Sequence, residues 1–261
     1  MNSIQMTLGI FAGATIFLGL PIAILPKVTD RVRAFLSAIS TGILIFLLVE
    51  IVGKVLEGIE DLFVSATEGF RTLKLALGYS GLLVVGMVVG LLGLVAFERL
   101  FIRSGKDEIP PRARAEQIAM MIAISIGLHN LSEGLAIGHE YSFGAVRLAW
   151  VLAIGFGLHN ATEGFGIAAP LSGYKPRPGF LLLMGLIGGG PTLIGTVLGS
   201  FWVSQPMEIF FLSLAAGAIL YIIGELLHLG RVLKGEALAE VGLLVGFFLG
   251  FGTEMLITLA S

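Results

Sequence analysis

Residues 127–138 read GLHNLSEGLAIG, and residues 157–168 read GLHNATEGFGIA. Seven of the twelve positions are identical, and the offset is thirty residues. Both copies sit inside long apolar stretches, so a helix that carries one must also carry a His, an Asn and a Glu through an apolar medium. Thirty residues make one membrane-length helix plus a short turn, because a span needs about 20 apolar residues. Consecutive spans run antiparallel, so the two copies are inverted relative to each other. The fold class expected from this is an all-α integral membrane protein containing inverted-repeat elements.

The rest of the chain fits that frame. Of 261 residues, 56% are hydrophobic and only 13% are charged, against about 25% charged in an ordinary soluble domain. The mean hydropathy is +0.97. Three segments run long without a charge, 1–26, 75–97 and 178–207. Four further apolar stretches carry one Glu each, at Glu50, Glu133, Glu163 and Glu225, and a last one has Glu254 near its end. Eight transmembrane helices are therefore expected in a single domain covering 1–261, at about 5–25, 34–55, 75–98, 116–138, 145–169, 179–203, 207–229 and 238–259. The first is read as a retained span, since no basic residue precedes Lys27.

Basic residues set the orientation. Loops 1–2, 3–4, 5–6 and 7–8 hold twelve, including Lys27, Arg103, Lys106, Arg114 and Lys234, while the opposite side holds four, Lys54, Arg71, Lys74 and Arg147. That bias predicts a multi-pass protein of the cell (inner) membrane with both termini outside. The 16 basic residues against 18 acidic ones argue against nucleic acid as a partner. With no cysteine, disulfides, thiolate metal sites and cysteine nucleophiles are excluded. The longest outer loop is expected at 56–74, with Glu57, Glu60, Asp61 and Glu68.

The doubled motif carries specific chemistry. His129 and Glu133 are four residues apart and share a helix face, as do His159 and Glu163. Imidazole and carboxylate together suit Zn²⁺ and other divalent first-row ions. Two facing copies offer enough ligands for a four-coordinate site, and Asn130 and Asn160 add oxygen donors nearby. His129 and His159 fall near the middle of their spans, where secondary transporters place substrate sites between inverted elements. A carboxylate at that depth costs roughly 2.5–3.5 kcal/mol on insertion scales. Two of them, each beside a His at the same spacing, need a joint purpose, which a simple interhelical polar clamp does not supply.

These two helices resemble the ZIP (Zrt/Irt-like) family of divalent-metal transporters, prokaryotic type, whose fourth and fifth spans carry His-Asn-x-x-Glu-Gly motifs. Here they stand as His129-Asn130-Leu131-Ser132-Glu133-Gly134 and His159-Asn160-Ala161-Thr162-Glu163-Gly164, with Ser132 and Thr162 where many members have Pro. Ala215 to Tyr221 looks like the family's seventh-span start. The resemblance implies eight spans, an inner bundle of spans 2, 4, 5 and 7 around a midplane metal site, and a homodimer. It implies a divalent ion as substrate, zinc first and Fe²⁺, Mn²⁺ or Cd²⁺ after it, with no organic cofactor. It also implies a release site at Glu225 and His228. In members with a two-metal centre the sixth span supplies a bridging Glu before a Pro. The matching residue here is Gly190, before Pro191, which predicts one tightly held ion.

Glu50 can line the entrance or carry a proton, or it can simply pair with Lys54 at i+4. Glu240 and Glu254 are expected near the membrane interfaces. Two other functions use the same residues. An intramembrane metal-dependent hydrolase would need a general base beside the metal, and His-Glu-x-x-His is absent. A proton or cation channel would show fast, uncoupled flux.

Overall fold

The computed structural model describes residues 3–24, 29–65, 70–102, 110–201, 204–232 and 236–260. Lys27, Glu68, Arg103, Lys106 and Lys234 lie outside them. The described residues are almost entirely helical. Helix α1 (Ser3–Ala14), α2 (Ile16–Gly19) and a 3-10 turn (Leu20–Ile24) follow one another. Then come α3 (Asp30–Ser65), α4 (Phe70–Phe97) with a π-helical turn at Glu98–Ile102, and α5 (Pro111–Ser142). Helix α6 (Val146–Ala168), α7 (Pro178–Gly199), α8 (Gln205–Val232) and α9 (Glu236–Ala260) complete the order.

Seven of these segments are long and apolar enough to cross a membrane, so the chain is a multi-pass membrane protein. The helix expected at 145–169 is present as α6 but falls short in apolarity. Its 23 residues include His159, Asn160, Thr162 and Glu163, which offset the Leu, Ile and Val around them. The expected outer loop at 56–74 is a correction. Helix α3 runs on to Ser65 and α4 starts at Phe70, so Glu57, Glu60 and Asp61 sit on helix. No proline or glycine pair in 56–65 stops α3, and a helix leaving the bilayer still satisfies its own backbone.

Packing divides the spans into two sets. In one, α5 lies along α7, and α1 packs on both α6 and α7. In the other, α3 lies along α9 and α4 along α8, with α3 also against α8. Glycines make these approaches close, as small residues do where lipid removes the hydrophobic drive between helices. A side chain at Gly134 would collide with the Thr192 carbonyl, and one at Gly195 with the Leu131 carbonyl. The same reciprocal arrangement joins α3 to α9 through Gly42 and Gly246, against Leu243 and Ile39. The two sets meet where α5 touches α8, α6 touches α9 and α3 touches α6. Helices α4 and α9 leave most of their surface outward, with Val84, Val88, Leu92, Leu244 and Phe248 exposed, as a lipid-facing surface requires.

Candidate metal centre

The two motif helices meet at mid-length. Helix α5 runs unbroken through Ser132, and α6 through Thr162. Where many relatives have Pro, Thr162 instead donates its hydroxyl to the His159 carbonyl at 2.7 Å, an in-helix bond that leaves the ladder whole. His129 Nε2 lies 3.4 Å from Glu133 Oε1, and His159 Nε2 lies 3.7 Å from Glu163 Oε1. The imidazole centroids are 6.0 Å apart at 60°. His129, Glu133 and His159 each present a ligand atom within 4.8 Å of the others. Glu163 stands beside His159 but outside that mutual set.

All four side chains are buried, at 5% exposure or less. Burying polar groups without partners is costly, and natural structures leave few of them so. Among the described residues, fourteen buried side-chain N or O atoms lack a hydrogen-bond partner, and eight belong to the six motif residues. They are both ring nitrogens of His129, His159 Nε2, Glu133 Oε2, both Glu163 oxygens, and the Oδ1 atoms of Asn130 and Asn160. Each Asn is oriented by its amide nitrogen: Asn130 donates to the Gly188 carbonyl at 3.0 Å and Asn160 to the Ala12 carbonyl at 2.9 Å. Nitrogen goes to backbone and oxygen is left over, so both Asn can offer an oxygen to a cation. The motif glycines have a separate task. Gly134 backs onto α7, and Gly164 onto the Ile16 carbonyl, which lets the polar face of each helix stay turned inward.

The remaining expected site residues lie elsewhere. Glu50, on α3, accepts from Lys54 Nζ at 2.6 Å, while its second oxygen is buried without a partner. It stands within electrostatic reach of His129 and His159, so both the i+4 pair and the proximity are realised. Glu225 is engaged. Arg114, at the start of α5, donates through Nη1 to Glu98 Oε1 at 2.7 Å and through Nη2 to Glu225 Oε2. The Tyr221 hydroxyl donates to the other Glu98 oxygen. His228 is exposed on α8. The Glu225 carboxylate is thus neutralised by a guanidinium, in a cluster that ties together the ends of α4, α5 and α8.

Gly190 requires a correction. A side chain there would meet no atom within 4 Å. It opens on a groove between α1 and α7 lined by Gly9, Gly13 and Phe17, away from the His–Glu cluster. A side chain at Gly188 would instead meet Ile126 of α5 and Ile167 of α6. One residue along a helix turns a side chain by about 100°, so anchoring on Pro191 put the wrong face toward the metal. Two residues the motif reading overlooked also approach the site from α9. Thr253 Oγ1 lies 3.5 Å from His159 Nδ1, and Glu254 is within electrostatic reach of Glu50, Lys54 and Glu133. Neither belongs to a recognisable spacing pattern.

The profile of the family described as "ZIP Zinc transporter" matches residues 102–258, a stretch that contains both motif helices. The chain belongs to this family. A relative from Salmonella arizonae, described as "Zinc transporter ZupT", is 29% identical over 143 residues, which are 51% of this chain and 49% of that protein. The match therefore spans about half the length of that curated relative. That family is one of transporters.

Proposed function

We propose that this protein carries divalent transition-metal ions, zinc foremost, across the inner membrane into the cytoplasm. The buried His–Glu cluster supports this most directly: eight ligand-type atoms without partners, concentrated on six residues of two facing helices. A desolvated divalent ion is the group they suit. His129, Glu133 and His159 form the first ligand set, Glu163 completes it by a small movement, and Asn130 and Asn160 supply neutral oxygens. Fe²⁺, Mn²⁺ and Cd²⁺ suit the same donors, since selectivity is set by geometry.

In this reading α6 crosses the membrane with the other seven spans, both termini lie outside, and the protein assembles as a homodimer. Spans 2, 4, 5 and 7 (α3, α5, α6 and α8) line the path, which agrees with their mutual contacts. Glu50 stands at the entrance, with Glu225 and His228 on the release side. Glu225 can serve there only when Arg114 lets it go. The test is zinc uptake by proteoliposomes. The Glu133→Ala, Glu163→Ala protein is expected to insert and to lose uptake; wild-type uptake by it would refute the assignment.

A further inference from the structure

The two histidines are not equivalent. His129 Nε2 faces Glu133 of its own helix at 3.4 Å, whereas His159 also has a contact at Nδ1 from another helix. That partner is Thr253 of α9, a helix that contributes no residue to the motif. The Thr253 hydroxyl has its own acceptors on α9, the Gly250 carbonyl at 2.7 Å and the Leu249 carbonyl at 3.3 Å. Its single proton is therefore spent on its own helix, and toward His159 the oxygen presents a lone pair. An acceptor opposite Nδ1 selects the tautomer with the proton on Nδ1. Nε2 then carries the free lone pair, and Nε2 is the atom that is buried, unpartnered and turned toward Glu163.

We propose that Thr253 is a positioning residue for the transported metal: by accepting the Nδ1 proton of His159 it fixes the ring and keeps Nε2 as the ligand atom. The proposal rests on the metal site proposed above and extends it to a residue outside the motif. Metal-ligating histidines ordinarily donate their second nitrogen to such a partner, which raises ligand basicity and holds the ring in place. The 3.5 Å separation is at the long end of hydrogen-bond distances. Thr253 also bridges the two packing sets, since α9 packs with α3 and His159 lies on α6. His159 is thus held as a ligand while α6 and α9 stay apposed.

The experiment is equilibrium binding of Co²⁺, followed by its visible spectrum, to the purified full chain. Thr253→Val keeps the shape and loses the acceptor, and it is expected to weaken binding about 10- to 100-fold. Thr253→Ser keeps the acceptor and is expected to stay within about threefold of wild type on the same scale. In a His159→Ala background, Thr253→Val should have no further effect, because its influence passes through the ring. Should the valine variant not fold, Thr253→Ala carries the same comparison. Unchanged affinity in the folded Val or Ala variant overturns the proposal, and so does an equal loss in the Ser variant. If His159→Ala itself binds Co²⁺ like wild type, the metal site fails, an outcome distinct from failure of the Thr253 role.

Discussion

Replacing Arg114 by Met keeps the length of the side chain and removes the guanidinium that bridges Glu98 and Glu225. Glu98 is the more buried carboxylate, its side chain 6% exposed, against 18% for Glu225 and 23% for Arg114. Removing one partner of a buried ion pair costs about 3–5 kcal/mol, because the other charge stays behind unpaired. Here Glu225 and the guanidinium keep some contact with the outside, and Glu98 keeps its bond from Tyr221. The lower end applies, about 3 kcal/mol, roughly a hundredfold in the unfolding equilibrium. The assay is reversible unfolding in mixed micelles. Charge left on the two carboxylates contributes to the loss, so neutralising it should restore part of the stability. The triple variant Arg114→Met, Glu98→Gln, Glu225→Gln is expected to recover more than half of it. A loss below about 1 kcal/mol in the single variant, the range of an exposed pair, or no recovery in the triple, would refute the reasoning.

Metal affinity should rise with pH, since the site takes neutral imidazoles and ionised carboxylates. Affinity at pH 5 is expected to be well below that at pH 7.5, because protons compete for the ligand atoms, and equal affinity at the two values would contradict a histidine site. Glu225→Ala with His228→Ala should slow uptake while leaving binding at the central site intact; normal turnover would make the pair structural. Gly190→Glu should leave the number of bound ions at the wild-type value, because that position faces the groove beside α1, and an added ion in anomalous diffraction would overturn this placement. Gly134→Ala should destabilise the protein by roughly 1–3 kcal/mol, since the methyl group must displace the Thr192 carbonyl of α7; a neutral result in the same unfolding assay would count against that contact.

The spans were legible because each depends on local composition, and every expected helix is present. Helix ends were less so. In water a charged stretch such as Glu57 to Asp61 marks a loop as readily as an exposed helix, and only the continuing ladder of α3 distinguishes them. The two buried His–Glu pairs were legible because Glu in an apolar span is costly, so spacing to His carried information. Arg114 and Glu98 were not, because each lies near a span end, where a charge is cheap and unremarkable, and Tyr221 was not, because a lone tyrosine inside an apolar helix names no partner. Their association depends on how α4, α5 and α8 pack. The same holds for Gly190, where a neighbouring proline marked a place in the sequence but not a direction around the helix.

Two dodecapeptides that share every His, Asn and Glu would by sequence build two identical half-sites. They do not, and the cause is the surroundings of each helix. Helix α5 is clasped by α7, which receives Asn130 at the Gly188 carbonyl and Gly134 at the Thr192 carbonyl. Helix α6 is clasped by the first span, through Ala12 and Ile16, and is also touched by α9. From α9, Thr253 stands beside His159 Nδ1. On the other side His129 and Glu133 join His159 in the tight set, while Glu163 stands off from it. An ion held by one braced ligand and several adjustable ones can be admitted and released without dismantling the site. Carriage across a membrane demands this; a structural metal, which needs every ligand braced, does not.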